Sequence, residues 1–150
     1  MQNFINSIPF YGQAFINGDD LNSINICKKI NRDIFTFGLK NHNHLYAKNI
    51  ILFENKMKFK LIYNNRVYSL ATNLIGNHNV YNILAAISVC LHLDIKITKV
   101  IQSVSTFFGV SRRLDIHPNI KINKKNIITI DDYGHHPTEV KSTIETIKKI

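Results

Sequence analysis

Cysteines and long apolar runs are scarce in this sequence of 150 residues, which contains 2 cysteines and 45% hydrophobic residues. Cys27 and Cys90 lie far apart and form neither a CxxC pair nor a metal-ligand spacing, which predicts free thiols in a reducing cytoplasm. The longest apolar stretch, 83–93, is broken by Ser88 and His92 and is too short to cross a bilayer. We therefore expect a cytoplasmic globular protein without a membrane partner.

Acidic residues are also few. The sequence has 10 Asp and Glu and 19 Lys and Arg, which gives a formal net charge of +9. A contiguous cluster of cations would favour nucleic-acid binding. The lysines are instead scattered as short pairs such as Lys28-Lys29 and Lys124-Lys125, so no nucleic-acid partner is expected. The same positive field favours an anionic nucleotide as substrate.

The order of apolar segments predicts an α/β fold. Strands at 13–16 and 34–38 enclose a helical pattern at 21–30, which indicates a β-α-β unit. Three β segments follow at 46–53, 58–63 and 66–70, with Asn64-Asn65 as a hairpin turn signal. An antiparallel patch is therefore expected beside the β-α-β unit.

Two helices are predicted after the antiparallel patch. The first carries an apolar stripe with helical spacing, formed by Val80, Ile83, Leu84, Ile87 and Leu91. The second spans 98–107, with Thr98 as its expected N-cap and Gly109 after its end.

Residues 112–126 then indicate a boundary between domains at 1–110 and 111–150. The second domain would hold only a strand at 127–130, a polar loop and a helix from Pro137, which is too little for a core of its own. We therefore expect a chain that is truncated at its C-terminus.

The strand-to-helix junction at 131–139 concentrates reactive side chains: two carboxylates, one phenol and two imidazoles occupy six positions. Ligands bind beyond the carboxyl ends of strands in open parallel sheets, near the positive end of the next helix. The adjacent residues His135 and His136 point in different directions and have no further ligand cluster, so no metal site is predicted. An apolar face made of Val140, Thr143, Ile144 and Ile147 is expected on the following helix.

The junction sequence DDYGHHPTEV at 131–140 resembles the signature of the Mur ligases of peptidoglycan synthesis. Two further segments match the same family in the same order: GNHNVYN at 76–82 and FGVSRRLD at 108–115. The resemblance is specific at these three motifs and weak over 1–70. It implies the later part of the family's central ATPase domain, followed by the first strand, loop and helix of a Rossmann-like C-terminal domain.

The resemblance also implies the roles of residues in the first two motifs. Asn79 and Asn82 match asparagines at the adenine of ATP, where a carboxamide supplies both a donor and an acceptor. Outside the family, such a pair is more simply the polar face of a helix. His78 is implied to contact ATP, and a capping or packing role is the equal alternative. Arg113 matches a functional arginine that engages ATP, and Arg112 is the weaker candidate.

The third motif would supply the ribose and substrate contacts. Asp132 matches the acid that hydrogen-bonds the ribose of ATP, although an acid there could also serve only the helix dipole. Tyr133, His135 and His136 are implied to contact the substrate or an acyl phosphate. Their separate roles are left open.

The implied reaction joins L-alanine to UDP-N-acetylmuramate with ATP and Mg²⁺, through an acyl phosphate on the sugar's carboxylate. The sequence contains no GxxxxGK[ST] phosphate loop. We expect that loop and the magnesium ligands on a polypeptide that carries the missing N-terminal part, and we expect this chain to be inactive alone. Two alternatives stay open. One is the family branch that joins a tripeptide to the same sugar, which Tyr133 and Gly134 disfavour. The other is a non-catalytic remnant or one half of a split ligase.

Overall fold

A computed structural model of the chain describes residues 2–28, 31–122 and 125–148. The predicted α/β class is confirmed. The described elements, in chain order, are α1 (Gln2–Asn6), β1 (Gln13–Asn17), α2 (Leu21–Cys27), β2 (Asp33–Gly38), β3 (Leu45–Phe53), β4 (Lys56–Tyr63), β5 (Arg66–Thr72), α3 (Asn77–His92), α4 (Ile97–Thr106), β6 (Asp115–Ile122), β7 (Lys125–Asp131) and α5 (Pro137–Ile147).

The first five strands form one sheet in the order β1-β2-β3-β4-β5. β1 pairs in parallel with β2, and β2 with β3, whereas β3, β4 and β5 pair antiparallel. This confirms the predicted β-α-β unit and antiparallel patch. The β4–β5 turn has left-handed φ values of 47° at Asn64 and 59° at Asn65. A left-handed φ at both central residues is typical of the tight hairpin turn that matches strand twist.

Helix α3 covers this sheet and supplies much of the core. Val80, Ile83, Leu84 and Ile87 are at most 4% exposed, which confirms the predicted buried stripe, and Leu91 at its end is only partly buried. They belong to one hydrophobic cluster with residues of the sheet such as Leu61. Close packing of this kind fixes the position of α3 relative to the strands.

One local prediction about the later part of the chain is wrong, and a second one missed a strand. Helix α4 begins at Ile97 with Lys96 as its N-cap, so Thr98 lies inside the helix and does not cap it. Residues 112–126 are not only a boundary, because β6 pairs antiparallel with β7. The pairing shifts register between His117 and Ile120, around Pro118. Proline is tolerated at such irregularities because it has no N–H to give to the ladder.

The surroundings of β7 and α5 also differ from the prediction. β7 pairs with β6 in a two-stranded antiparallel sheet and has no parallel neighbour among the described strands. The apolar face of α5 is exposed, with Val140 at 40% and Ile144 at 48%. The helix instead buries Thr146.

In the part of the chain that the structure describes, no helix is long and apolar enough to cross a membrane.

Candidate nucleotide site

A cavity of about 560 Å³ lies between the N-terminal turns of α3 and the β7–α5 junction. All five residues assigned to ATP by resemblance line this one cavity: His78, Asn79, Asn82, Arg113 and Asp132. They come from three separate segments of the sequence. The fold therefore brings together residues that the sequence could connect only through the resemblance.

The asparagines lie on adjacent turns of α3. The Asn79 side-chain amide donates to the Ile75 carbonyl at 2.9 Å, which holds the carboxamide at the start of the helix. The Asn82 amide donates to the Asn79 carboxamide oxygen at 3.4 Å. Among the described residues, the Asn82 oxygen has no hydrogen-bond donor. Asn82 thus keeps both a free acceptor and a second N–H, the pair that an adenine edge requires.

His78 joins the two sides of the cavity. Its Nδ1 lies 3.0 Å from the hydroxyl of Ser142 on α5. Burial lowers the pKa of His78, and the guanidinium of Arg113 lowers it further, while the carboxylate of Asp132 acts in the opposite direction. Burial of the ring therefore favours its neutral form.

The segment before β6 has unusual backbone geometry. Gly109, Arg112 and Leu114 have φ values of 106°, 62° and 51°, in the left-handed region that costs free energy for residues other than glycine. Two hydrogen bonds from the junction hold this segment in place. The Leu114 N–H donates to Oδ2 of Asp132 at 2.9 Å, and the Tyr133 N–H donates to the Arg112 carbonyl at 2.8 Å.

Asp132 also organises its own loop. Its Oδ1 accepts from the Gly134 N–H at 2.8 Å. A Cβ at Gly134 would lie 2.6 Å from that oxygen, so a side chain there would disturb the bond. Each carboxylate oxygen can accept more than one hydrogen bond, so Asp132 retains acceptor capacity toward a ligand.

Tyr133, His135 and His136 do not line the cavity with the other five residues. Tyr133 is 55% exposed, and the centroid of its ring lies 5.2 Å from the Arg112 guanidinium carbon. The His135 ring meets the Tyr133 ring edge-on, with 5.6 Å between centroids. His136 is the N-cap of α5, because its Nδ1 accepts from the Thr138 N–H at 3.3 Å. Their predicted contacts with substrate or acyl phosphate stay predictions.

Metal-ligating side chains are not clustered in the described part of the chain. No group of three or more His, Cys, Asp or Glu residues there could hold a metal ion. Cys27 and Cys90 are free thiols.

Sequence reasoning missed a polar cluster at the carboxyl ends of β1 and β2. Asp19 accepts hydrogen bonds from the Leu39 N–H, from the Asn43 amide at 2.9 Å and from the Tyr81 hydroxyl at 2.9 Å. Burial alone raises the pKa of Asp19, but these hydrogen bonds, with Leu39 first, outweigh burial and lower it. The only sequence signal was the strand-to-loop edge at 17–20. Tyr81 on α3 lies 62 residues away and gave none.

Comparison with known proteins identifies the family. The profile of the Mur ligase middle domain matches residues 1–90. The chain belongs to the Mur ligase family. Among its curated relatives are UDP-N-acetylmuramate–L-alanine ligases of Vesicomyosocius okutanii and Endomicrobium trichonymphae, which are 40% and 42% identical over 147 and 145 residues. Those matches cover 97% and 96% of this Mur ligase chain and 31% of each relative, so the chain spans about a third of their length.

Solved structures show the same fold. MurF from Acinetobacter baumannii superimposes with a TM-score of 0.82 at 21% identity, covering 99% of this chain and 32% of that one. The UDP-N-acetylmuramate–alanine ligase MurC from Thermotoga maritima gives a TM-score of 0.68 at 27% identity, covering 98% of this chain and 40% of that one. The α/β architecture described above is thus the Mur ligase architecture over this region.

Proposed function

We propose that this chain supplies the adenosine-binding part of an ATP-dependent ligase that joins L-alanine to UDP-N-acetylmuramate in the cytoplasm. One observation carries the proposal. The five residues assigned to ATP come from separate motifs and line a single cavity of about 560 Å³. The high identity to curated L-alanine ligases over nearly the whole chain supports this substrate choice.

Each wall of the cavity offers a group suited to one part of the nucleotide. Asn82 presents a free acceptor and an N–H to the adenine edge, while Asp132 keeps acceptor capacity for the ribose hydroxyls. Arg113 brings a permanent positive charge, which suits the phosphates. The neutral ring of His78 adds a donor or an acceptor without a second charge.

The proposed reaction has two steps. A carboxylate oxygen of the sugar nucleotide attacks the γ-phosphorus of ATP, which forms an acyl phosphate and releases ADP. The L-alanine amine then attacks the acyl carbon, which forms the amide and releases phosphate. Positioning of the γ-phosphoryl group supplies most of the catalysis in such transfers. The 150 residues contain no GxxxxGK[ST] loop, so we propose that a polypeptide outside this sequence supplies it, together with the magnesium ligands.

The exposed junction residues would face the reacting groups. Tyr133 and His135 lie together on the surface beside Arg112, outside the nucleotide cavity. His136 uses Nδ1 to cap α5 and keeps Nε2 available. We propose that these three side chains contact the sugar nucleotide or the acyl phosphate once the rest of the site is present.

The decisive test is ATP-dependent joining of radiolabelled L-alanine to UDP-N-acetylmuramate. The chain is assayed alone and with a polypeptide that carries the phosphate loop, and activity is expected only with both. A parallel assay with a tripeptide in place of L-alanine tests the alternative that the chain belongs to the family branch that joins a tripeptide to the same sugar. If no assay shows activity and the chain binds no nucleotide, the chain is better explained as a non-catalytic remnant, and the proposal is overturned.

Neighbouring aspartates provide a matched pair of variants for this assay. Asp132→Asn should raise the apparent KM for ATP at least about tenfold, because it removes a charged acceptor from the cavity. Asp131→Asn should change it less than about twofold, because Asp131 is half exposed and pairs with Arg112 at 3.6 Å outside the cavity. Equal effects of the two substitutions would contradict a ribose contact of Asp132.

A further inference from the structure

Helix α5 is held against the five-stranded body by very few polar contacts. Among the described residues, one side-chain hydrogen bond joins them, between Ser142 and His78 at 3.0 Å. The apolar residues Val140 and Ile144 are 40% and 48% exposed and contribute little to this contact. Few other contacts hold α5 in place, so we expect this hydrogen bond to matter more for the position of α5 than one hydrogen bond matters in a packed core.

The space around the His78 ring is closely limited. A Cβ at Gly76 would lie 2.7 Å from Cε1 of His78 and 2.8 Å from Oγ1 of Thr146. A side chain at residue 76 would require the ring or Thr146 to shift, and the φ of 105° at Gly76 also suits few other residues. On α5, the Thr146 hydroxyl donates to the Ser142 carbonyl at 2.8 Å, so it is already engaged within the helix.

We infer that Ser142 is a positioning residue of the nucleotide cavity, which fixes the orientation and tautomer of His78 and joins α5 to the first turn of α3. The inference rests on the proposed function and adds a residue to its site. Because Nδ1 is engaged by Ser142, Nε2 is the ring nitrogen left without a partner among the described residues, and it is available to the adenosine part of the nucleotide.

Burial, and not the net effect of the neighbouring charges, favours a neutral His78 ring. Burial opposes protonation most strongly, Asp132 from the junction supports it, and Arg113 from the segment before β6 opposes it. Glu139 on α5 lines the same cavity. We assign the Ser142 hydroxyl as the donor to Nδ1 of the neutral ring, which places the ring proton on Nε2. His78 then presents an N–H donor to an acceptor on adenosine.

Adenosine is the sharpest probe, because its binding does not depend on a phosphate loop. We expect titration of the 150-residue chain by NMR to show saturable binding of adenosine. Ser142→Ala should weaken it about threefold to tenfold, the effect of losing one hydrogen bond. Ser142→Thr keeps a hydroxyl and should stay within about twofold of the original chain. Ser103→Ala, on α4, removes an exposed hydroxyl and should change nothing.

The ¹⁵N chemical shifts of the His78 ring provide a second measurement, because they report the tautomer and do not change when the fold is only less stable. These shifts should report one tautomer in the original chain and in Ser142→Thr, and a mixture in Ser142→Ala. If Ser142→Ala keeps both the adenosine affinity and the single tautomer, the inference is wrong while the proposed function stands. If the original chain does not bind adenosine at any accessible concentration, the proposed function fails, and the role of Ser142 in it fails as well.

Discussion

Helices α3 and α5 have similar apolar spacing in the sequence and opposite surroundings in the structure. Leu84 and Ile87 of α3 are 0% exposed, whereas Val140 and Ile144 of α5 are 40% and 48% exposed. The α3 stripe packs on the five-stranded sheet, but the two-stranded β6–β7 sheet offers no comparable surface. Periodicity therefore predicts a helix and its stripe, and only the neighbouring elements determine whether that stripe is buried.

The largest expected effect tests this contrast directly. Leu84→Ala should reduce the free energy of unfolding by about 2–5 kcal/mol, because it leaves a cavity in a close-packed core. Ile144→Ala on α5 should cost less than about 1 kcal/mol, since half of that side chain already contacts water. Urea unfolding followed by circular dichroism measures both. Comparable losses would show that the α5 stripe is buried in solution.

The Asp19 cluster provides the next largest effect. Tyr81→Phe removes a hydrogen bond to a carboxylate and should cost about 1.5–3 kcal/mol. Tyr68→Phe is the matched control, because Tyr68 also packs against the core and should cost less than about 1 kcal/mol. Thermal unfolding at neutral pH compares the two variants. An unchanged melting temperature in Tyr81→Phe would contradict the hydrogen bond.

The pH dependence of stability sharpens the same comparison. Burial and the Asp19 hydrogen bond raise the pKa of Tyr81 from 10.0 to about 12. A raised folded-state pKa stabilises the protein below the unfolded value, and this stabilisation is lost as pH rises through the folded value. The original chain should therefore lose stability relative to Tyr81→Phe between about pH 10 and 12. A difference that is constant over this range would refute the shift.

At acid pH, Asp19 should make the stability of the protein depend on pH in the opposite direction. Its pKa is lowered, so its contribution is present above the unfolded-state value and is lost as pH falls toward the folded-state value. Asp19→Asn should flatten the acid limb of the stability curve below about pH 4. Asp33→Asn, at the exposed start of β2, serves as the control and should keep that limb. Parallel acid limbs in all three proteins would argue against the Asp19 network.

A smaller, local effect is expected in the β7–α5 junction. Gly134→Ala places a Cβ 2.6 Å from Oδ1 of Asp132 and should disturb the hydrogen bonds of that carboxylate. Amide exchange at Leu114, which donates to Oδ2, should accelerate about fivefold, as expected for roughly 1 kcal/mol. Exchange at Leu45 in the five-stranded sheet is the internal control. Equal acceleration at both amides would mean global destabilisation.

The smallest expected effect lies on the exposed face of α5. Lys141 and Glu145 form an i,i+4 ion pair at 4.0 Å, with side chains 77% and 61% exposed. Lys141→Gln should change the free energy of unfolding by less than about 0.5 kcal/mol, and added salt should remove even that difference. A loss above about 1 kcal/mol would show that this face of α5 has a structural partner.

Much of the secondary structure could be predicted because its signals are local. The Asn64-Asn65 turn and the stripe of α3 both depend on residues close in sequence. β6 escaped prediction because Pro118 and its neighbours resemble a linker, and its pairing with β7 is not visible in its own residues. Lys96 takes the N-cap position of α4 without a side-chain hydrogen bond, so residue preference pointed to Thr98 instead.

The candidate site shows the same division. The family resemblance selected His78, Asn79, Asn82, Arg113 and Asp132, and the structure places all five around one cavity. Ser142 and Asp19 were missed because a serine on a helix or an aspartate after a strand has many ordinary explanations. Only their distances to His78 and Tyr81 give them significance.

The sequence by itself determined the family, the α/β class and the motifs that could meet a nucleotide. These properties follow from residue identity, short-range spacing and the backbone preferences of a few turns. The tertiary structure alone decided which motifs meet, which stripe is buried and which polar side chains bond across long separations. The physical reason is that packing and long-range hydrogen bonds depend on the elements that surround a residue, and a helix such as α5 exposes its apolar face when no described element covers it.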